Sequence, residues 1–197
     1  GFRIPDIMAE SGAILVETGT TNITTVDDYR RAISGGTAMI FSCHRSNFTQ
    51  EGFTESPSLR DLASLKGEGM IFVRDLGSGN LIPDRRLPQN FEPTVRSEIE
   101  QGPDLVCFSG DKLLGGCQAG IIVGAKDLVG RLRKNPLMRM LRVDKITYYI
   151  LQETLLRHVN GEDDSIALWR IMHQDKKDIS GRINRFLRLI ANPEGKK

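Results

Sequence analysis

Five short apolar runs, separated by stretches with helical periodicity, constrain the fold of this chain more than any other feature of its sequence. The runs lie at residues 13–16, 38–42, 70–73, 105–108 and 120–123. Short apolar strands that alternate with helices are typical of a largely parallel sheet covered by helices. We therefore predict an α/β fold with about five strands. Because only eleven residues separate the last two runs, too few for a helical crossover, the last strand can lie antiparallel.

The stretches between and after the runs carry helix signals. Thr25 is the predicted N-cap of one helix, and Ser56 is the predicted N-cap of another, with Pro57 at its first helical position. Beyond residue 125 the periodicity is helical, with no strand after the last run. The predicted helices span residues 26–33, 57–65, 93–100, 127–133, 145–158, 165–172 and 179–190. We therefore divide the chain into a sheet-containing part, residues 1–144, and a helical extension, residues 145–197.

Composition narrows the class of protein. With 39% hydrophobic and 26% charged residues the chain resembles an ordinary soluble domain, and its net charge of +2 is too small to argue for nucleic-acid binding by the chain as a whole. Cys43, Cys107 and Cys117 are widely spaced and form no CxxC pair, which opposes a disulfide framework and a zinc site. No apolar run approaches the roughly 20 residues that cross a bilayer, and the first residues do not form a signal peptide. We therefore predict a cytoplasmic protein with no membrane partner and no metal.

Chemically versatile side chains follow three of the apolar runs. His44 follows the second run, Asp75 the third, and Ser109, Asp111 and Lys112 the fourth. Ligands of parallel α/β sheets bind beyond the carboxyl ends of the strands, where these residues would meet. Pyridoxal 5′-phosphate (PLP) chemistry requires a lysine that bonds the cofactor and an acid that keeps its pyridine nitrogen protonated, and Lys112 and Asp75 fit these roles. The segments that contain Asp75 and Lys112, each taken alone, are more often structural turns. The prediction therefore depends on their joint placement at two strand ends.

A basic stretch follows the last apolar run. Residues 131–145 hold six basic side chains against the single acid Asp144, a local charge of +5. Arg139 and Arg142 stand three residues apart within it, on one face of a helix. An anion site and a plain solvated helix face are both open interpretations of this pattern.

Several segments resemble the bacterial selenocysteine synthases, the L-seryl-tRNA(Sec) selenium transferases. They are DLGSG at residues 75–79, FSGDKLLGG at 108–116, QAGIIVG at 118–124, LRVDK at 141–145 and the opening GFRIPDIM. The similarity extends from residue 1 to about residue 190. It departs at Cys117, where the family usually has proline.

The resemblance implies a fold-type-I PLP enzyme that converts L-seryl-tRNA(Sec) to L-selenocysteinyl-tRNA(Sec) with selenophosphate as selenium donor. On this basis Lys112 holds the cofactor as a Schiff base and Asp75 pairs with its pyridine nitrogen. Asp111 positions the lysine or another catalytic group. His44 and Ser109 also belong to the predicted cofactor site, although a histidine such as His44 is more often an ordinary strand-end residue than a catalyst. The resemblance further makes Arg139 and Arg142 the selenophosphate ligands.

The same resemblance implies an incomplete protein. Residues 1–144 are expected to be part of the PLP-binding large domain, and residues 145–197 a helical linker and the start of the small C-terminal domain. A tRNA-binding domain and the cofactor phosphate loop are expected upstream, so whether these residues are active alone stays open. The full-length family is expected to form a homo-oligomer, a decameric ring of dimers. The alternatives are a related PLP-dependent lyase that acts on a small amino acid or amino sugar, and a non-catalytic fragment.

Overall fold

A four-stranded mixed sheet forms the centre of the computed structural model, which describes residues 4–83, 86 and 92–191. Residues 1–3 of the predicted large domain and 192–197 of the predicted extension lie outside the described residues. Neighbouring strands pair in chain order, parallel between the first three and antiparallel between the last two. The predicted α/β fold and the antiparallel last strand are confirmed. The strands are β1 (Met39–Cys43), β2 (Ile71–Gly77), β3 (Leu105–Ser109) and β4 (Gly120–Gly124).

The strand predicted at residues 13–16 is wrong. This run is assigned to no strand, and the side chains of Ile14 and Val16 are 94% and 60% exposed. A strand is stable only when a neighbour satisfies its backbone groups, and an apolar run alone does not supply that neighbour. In this region the described residues form only an isolated bridge between Ile23 and Glu55. The described sheet therefore has four strands rather than about five.

The helices follow the predicted pattern closely, and the prediction that residues 145–190 are largely helical is confirmed. Within the described residues, no helix is both long enough and apolar enough to cross a membrane. Arg139 lies in a short helix, as expected, but Arg142 is the C-cap of that helix rather than part of its face. A further short helix, near the start of the chain, was not predicted. The helices are α1 (Ile4–Glu10), α2 (Val26–Ala32), α3 (Leu59–Ser64), α4 (Val95–Ile99), α5 (Lys126–Lys134), α6 (Met138–Leu141), α7 (Lys145–Val159), α8 (Ala167–Met172) and α9 (Lys176–Ala191), with a 3₁₀ helix at Asp163–Ser165 between α7 and α8.

The predicted cap of α3 is corrected by the structure. Ser58, not Ser56, precedes the helix, and its Oγ accepts a hydrogen bond from the backbone N–H of Asp61 at 3.1 Å. The hydroxyl of Ser56 instead accepts a hydrogen bond from the Arg45 guanidinium at 2.8 Å. Pro57 therefore lies before the helix rather than at its first position. At α2, by contrast, the predicted cap Thr25 is confirmed and forms a reciprocal capping box.

Two apolar clusters hold helices against the sheet. Burial of each large apolar side chain contributes about 1.5–3 kcal/mol, so these clusters fix the positions of the strand ends. The first joins α3 to β1 and β2, and the second joins α4 to β2 and β3. The first consists of Ile40, Leu59, Leu62 and Phe72, and the second of Leu76, Val95, Val106 and Phe108.

A buried ion pair also ties α4 to the sheet. Arg74 Nε lies 2.6 Å from Glu98 Oε2, and these side chains are only 11% and 5% exposed. The same guanidinium donates a hydrogen bond to Ser42 Oγ at 2.8 Å. The pair thus joins β1, β2 and α4.

We expect Glu98→Ala to lower the free energy of unfolding by about 3 kcal/mol, because it leaves the Arg74 charge buried and unpaired. Glu100→Ala is the matched control on the same helix. Its pair with Arg96 is exposed, with side chains 60% and 85% accessible, and should contribute less than about 1 kcal/mol. Urea denaturation of the complete polypeptide that the gene encodes measures both. Equal losses in the two variants would contradict this expectation.

Candidate functional site

Gly77, the last residue of β2, marks the point at which several predicted site residues meet. Its φ of 72° is a left-handed conformation that favours glycine. A Cβ at this residue would stand 3.7 Å from Lys112 Nζ, 3.7 Å from Ser46 Oγ and 3.9 Å from Asp75 Oδ1. The structure therefore brings the amine of Lys112 and the carboxylate of Asp75 to one place beyond the strand ends.

The carboxyl end of β2 is irregular. Asp75 pairs in register with Cys43 of β1 and Cys107 of β3, and the register then shifts between residues 75 and 77. A shift of register in a strand redirects the side chains that follow it, and such irregularities are common beside active sites. Asp75 consequently stands in a cross-strand row with a thiol on each side.

These two thiols resist ionisation. The pKa of Cys107 is raised to about 11, first by burial and second by the negative charge of Asp75. The pKa of Cys43 is also raised, again by burial and then by Asp75, with a smaller opposing effect of Arg74. The row therefore presents one carboxylate flanked by two neutral thiols near neutral pH.

The raised pKa of Cys107 predicts a pH dependence of stability. Between about pH 9, the ordinary thiol pKa, and about pH 11, the unfolded thiol is ionised while the native thiol keeps its proton. The contribution of Cys107 is therefore fully present below pH 9 and is lost as the pH rises through 11. We expect the free energy of unfolding, measured by urea denaturation, to decline more steeply with pH across this window for the wild type than for Cys107→Ala. Equal slopes of unfolding free energy against pH in the two proteins would contradict the raised pKa of Cys107.

His44 lies beside Asp75. Its backbone N–H donates to the carbonyl of Asp75 at 2.7 Å. Its ring Nε2 lies 2.9 Å from Oε1 of Glu92, without the geometry of a hydrogen bond. The imidazole is thus held near the end of β2, next to an acid that the sequence analysis did not single out.

Several buried polar atoms near this strand end have no hydrogen-bond partner among the described residues. They include Ser78 Oγ and Asn80 Oδ1, in residues only 4% exposed, together with His44 Nε2 and Glu92 Oε1. Buried polar groups are usually satisfied, so such atoms fit a polar ligand. The amine of Lys112 and the carboxylate of Asp75, both close to Gly77, are the two groups that PLP chemistry requires, so the residues present fit this cofactor.

The turn that carries Lys112 is attached to β2. The N–H of Leu113 donates to the carbonyl of Ser78 at 2.8 Å. A Cβ at Gly79, which has a φ of 71°, would stand 2.6 Å from the carbonyl of Ser109, so only glycine permits this approach. Asp111 is exposed at the start of the turn. Ser109 and Lys112 are therefore held close to the end of β2 through backbone contacts.

The two predicted anion ligands lie on a different element. Arg139 is in α6 and Arg142 is its C-cap, and both are exposed. Arg142 also lines a groove of about 610 Å³ between β4, α6 and α7, whose other lining residues are mostly apolar. Their role in binding an anion stays a prediction.

Sequence reasoning missed several residues around Lys112. Ser46, however, was expected at this edge, because it follows the apolar run at residues 38–42 as His44 does. The placement of Cys107 beside Asp75 depends on strand register. His158 and Trp169 contact the carbonyls of Leu114 and Leu113, and these contacts depend on how their helices pack against the turn after Lys112. No local sequence pattern indicates either arrangement.

The mixed sheet, with an acid near the carboxyl end of β2 and a lysine beyond the end of β3, has the α/β fold of the fold-type-I PLP-dependent enzymes. One solved structure with this fold is that of D-glucosaminate-6-phosphate ammonia-lyase. It matches with a TM-score of 0.61 over 80% of this chain and 39% of that chain, at 19% identity. At this identity the likeness shows the fold alone.

The sequence comparisons are more specific. The family model described as SelA, L-seryl-tRNA selenium transferase, matches residues 1–196. The L-seryl-tRNA(Sec) selenium transferase of Methylocella silvestris is 51% identical over 96% of this chain and 41% of its own length. That of Aquifex aeolicus is 46% identical over 100% of this chain and 44% of its own length. The chain belongs to the L-seryl-tRNA selenium transferase family, and it spans about two fifths of the length of these curated relatives.

Proposed function

We propose that the protein containing these residues converts L-seryl-tRNA(Sec) to L-selenocysteinyl-tRNA(Sec), with PLP as cofactor and selenophosphate as selenium donor. Family membership supports this proposal, because the curated relatives are named for this transfer. The observation that carries it is the convergence of Lys112 Nζ and Asp75 Oδ1 within 4 Å of one point above Gly77. In the overall reaction the C–O bond of the seryl β-carbon breaks with loss of water, a C–Se bond forms with selenium from selenophosphate, and one water cleaves the Se–P bond to release phosphate, so that no net water is formed.

The proposed cofactor contacts follow from the donor set. When bound, PLP supplies an electron sink that makes the α-proton of an amino acid removable. Lys112 supplies the amine that bonds the cofactor, and Asp75 holds a proton at the pyridine nitrogen. His44 and Ser109, which flank these two groups, complete the proposed contacts.

Proton movement is the second task of these residues. Once the amine of Lys112 is free, it is the base positioned to take the α-proton of the seryl group. Asp111 precedes it and is exposed, so its proposed role is to orient the lysine or another catalytic group. The thiols of Cys43 and Cys107 on either side of Asp75 are neutral. This cross-strand row therefore contains no cation that would pair with the Asp75 carboxylate in place of the cofactor.

A direct assay tests this function. The complete polypeptide is incubated with PLP, seryl-tRNA(Sec) and selenophosphate, and the aminoacyl group is released and identified by mass spectrometry. We expect selenocysteine in place of serine. Recovery of serine alone from protein that carries PLP would refute the proposed reaction, and failure to bind PLP would refute the cofactor.

The proposed selenophosphate ligands are Arg139 and Arg142, whose planar guanidinium groups suit a phosphate-like anion. We expect Arg139→Ala and Arg142→Ala each to raise the KM for selenophosphate about tenfold or more, because each removes a charged hydrogen-bond donor. Arg133→Ala is the matched control, since Arg133 is exposed in the same basic stretch. Unchanged selenium transfer in both variants would remove these residues from the proposed site.

The remaining proposals rest on the resemblance. Residues 1–144 are proposed as part of the large domain, and residues 145–197 as the linker and the start of the small domain. A homo-oligomer built as a decameric ring of dimers and a cytoplasmic location, where charged tRNA is available, stay predictions.

A further inference from the structure

The turn after Lys112 is held by side chains from the helical extension. The indole Nε1 of Trp169, in α8, donates to the carbonyl of Leu113 at 2.9 Å. The Nε2 atom of His158, in α7, lies 2.9 Å from the carbonyl oxygen of Leu114, to which it can only donate. His158 and Trp169 are 5% and 3% exposed. Two consecutive carbonyls directly after the lysine thus have buried side-chain partners.

The orientation of the His158 ring is itself fixed. Its Nδ1 atom lies 2.5 Å from Oδ1 of Asp163, the first residue of the 3₁₀ helix. A contact at one ring nitrogen determines how the other nitrogen is presented. Asp163 therefore holds the ring so that Nε2 faces Leu114.

Close packing leaves the turn little freedom. A Cβ at Gly115, where φ is 76°, would stand 2.5 Å from Cγ2 of Ile166, and a Cβ at Gly116 would stand 3.3 Å from Thr154 Oγ1 and 3.4 Å from Leu151 Cδ2. The backbone after the lysine is therefore inserted directly against α7 and the start of α8.

Leu113 is held from two directions. Its N–H donates to the carbonyl of Ser78 beyond β2, and its carbonyl accepts from Trp169. Ser78 is three residues after Asp75 in the sequence. The same peptide segment therefore connects the end of the strand that carries Asp75, the turn that carries Lys112 and the helical extension.

We propose that His158 and Trp169 are positioning residues for Lys112, which hold the backbone of residues 113 and 114 so that the lysine amine stays near Gly77. This inference rests on the proposed function, because it concerns capture of PLP by Lys112. A lysine side chain has large rotamer freedom, so a fixed backbone is what restricts where its amine can lie. Since the two residues belong to the helical extension, its docking also governs the position of the lysine.

The test uses the complete polypeptide, stripped of PLP, and follows by absorbance the covalent bond that forms between Lys112 and the PLP aldehyde carbon with loss of water. We expect Trp169→Phe and His158→Asn to slow this capture about tenfold, because the first removes the indole donor and the second leaves no donor at the position of His158 Nε2. His158→Gln should restore capture, since its amide nitrogen reaches the place of imidazole Nε2. Tyr149→Phe, which removes an exposed hydroxyl from α7, is the matched control and should not change the rate.

A second readout does not depend on the cofactor. In the stripped protein, amide hydrogen exchange of residues 113–116 should be about tenfold faster in Trp169→Phe and His158→Asn than in the wild type. Rates are compared at a temperature at which circular dichroism shows each variant folded. If His158→Asn does not fold, the hydrogen-exchange rates of Trp169→Phe, which keeps an apolar ring in place, test the positioning role by themselves.

The outcomes separate this proposal from the proposed function. If the wild type captures PLP on Lys112 and the variants capture it equally fast, the positioning role is refuted while the function stands. Capture by His158→Gln as slow as by His158→Asn would refute the role of the Nε2 donor. If the wild type does not capture PLP at all, the proposed function fails and this inference fails with it.

Discussion

Lys112→Ala is expected to lower selenium transfer by the complete polypeptide about 10³- to 10⁴-fold, because alanine can neither bond the cofactor nor move the α-proton. The variant should still fold, since the Lys112 residue is exposed and its backbone contacts are unaffected by the change. The initial rate of selenocysteinyl-tRNA formation measures the loss.

The identity of the lysine is tested on the wild type. Borohydride reduction followed by digestion and mass spectrometry should find the pyridoxyl group on Lys112. Lys126→Ala and Lys145→Ala, at the starts of α5 and α7, are control variants that should keep full activity. A label on Lys126 or Lys145 would overturn the site assignment and leave the fold unaffected.

Asp75→Asn is expected to reduce selenium transfer about 10²- to 10³-fold while PLP stays attached to Lys112. An amide has nearly the shape of the carboxylate but no negative charge to hold a proton at the pyridine nitrogen. The same change should lower the pKa of Cys107, because the charge of Asp75 contributes to raising it. Activity assays and the pH dependence of Cys107 alkylation therefore report independently on this residue.

The matched control is Asp127→Asn, an exposed carboxylate in the first turn of α5. It should change neither activity nor alkylation of Cys107. If Asp75→Asn shifted the alkylation profile but left selenium transfer at the wild-type rate, Asp75 would be a neighbour of the thiol and not a cofactor ligand.

Much of the fold was predictable because its determinants are local. The apolar runs at 38–42, 70–73, 105–108 and 120–123 each became a strand within a few residues of the expected bounds, since alternation of strands with helices reflects side-chain pattern. The run at 13–16 has the same apolar character, but strand formation also requires a paired neighbour, which sequence pattern does not specify. The predicted cap of α3 was wrong because the sequence offers two serines, and the helix begins after Ser58, while Ser56 accepts a hydrogen bond from Arg45.

The candidate site, like the fold, has features that were predictable from the sequence and others that were not. The positions of Asp75 and Lys112 after apolar runs were enough to predict that they meet at one edge of the sheet, because parallel strands share one carboxyl edge. The prediction that Asp75 follows its strand was wrong, because β2 extends to Gly77 and includes it. The register that puts Cys43 and Cys107 beside Asp75, and the register shift between residues 75 and 77, depend on pairing between strands. A shift of one residue would turn different side chains to that face, so composition alone could not predict the row.

The sequence by itself determined the α/β class, the strand-end location of the lysine and the acid, and the family to which the chain belongs. Only the tertiary structure decided what surrounds the lysine turn. His158 contacts the carbonyl of a residue 44 positions away, and Trp169 one 56 positions away. Such contacts arise when helices of the extension pack against the turn that follows Lys112, and packing of this kind depends on contacts between residues distant in sequence, which leave no local motif.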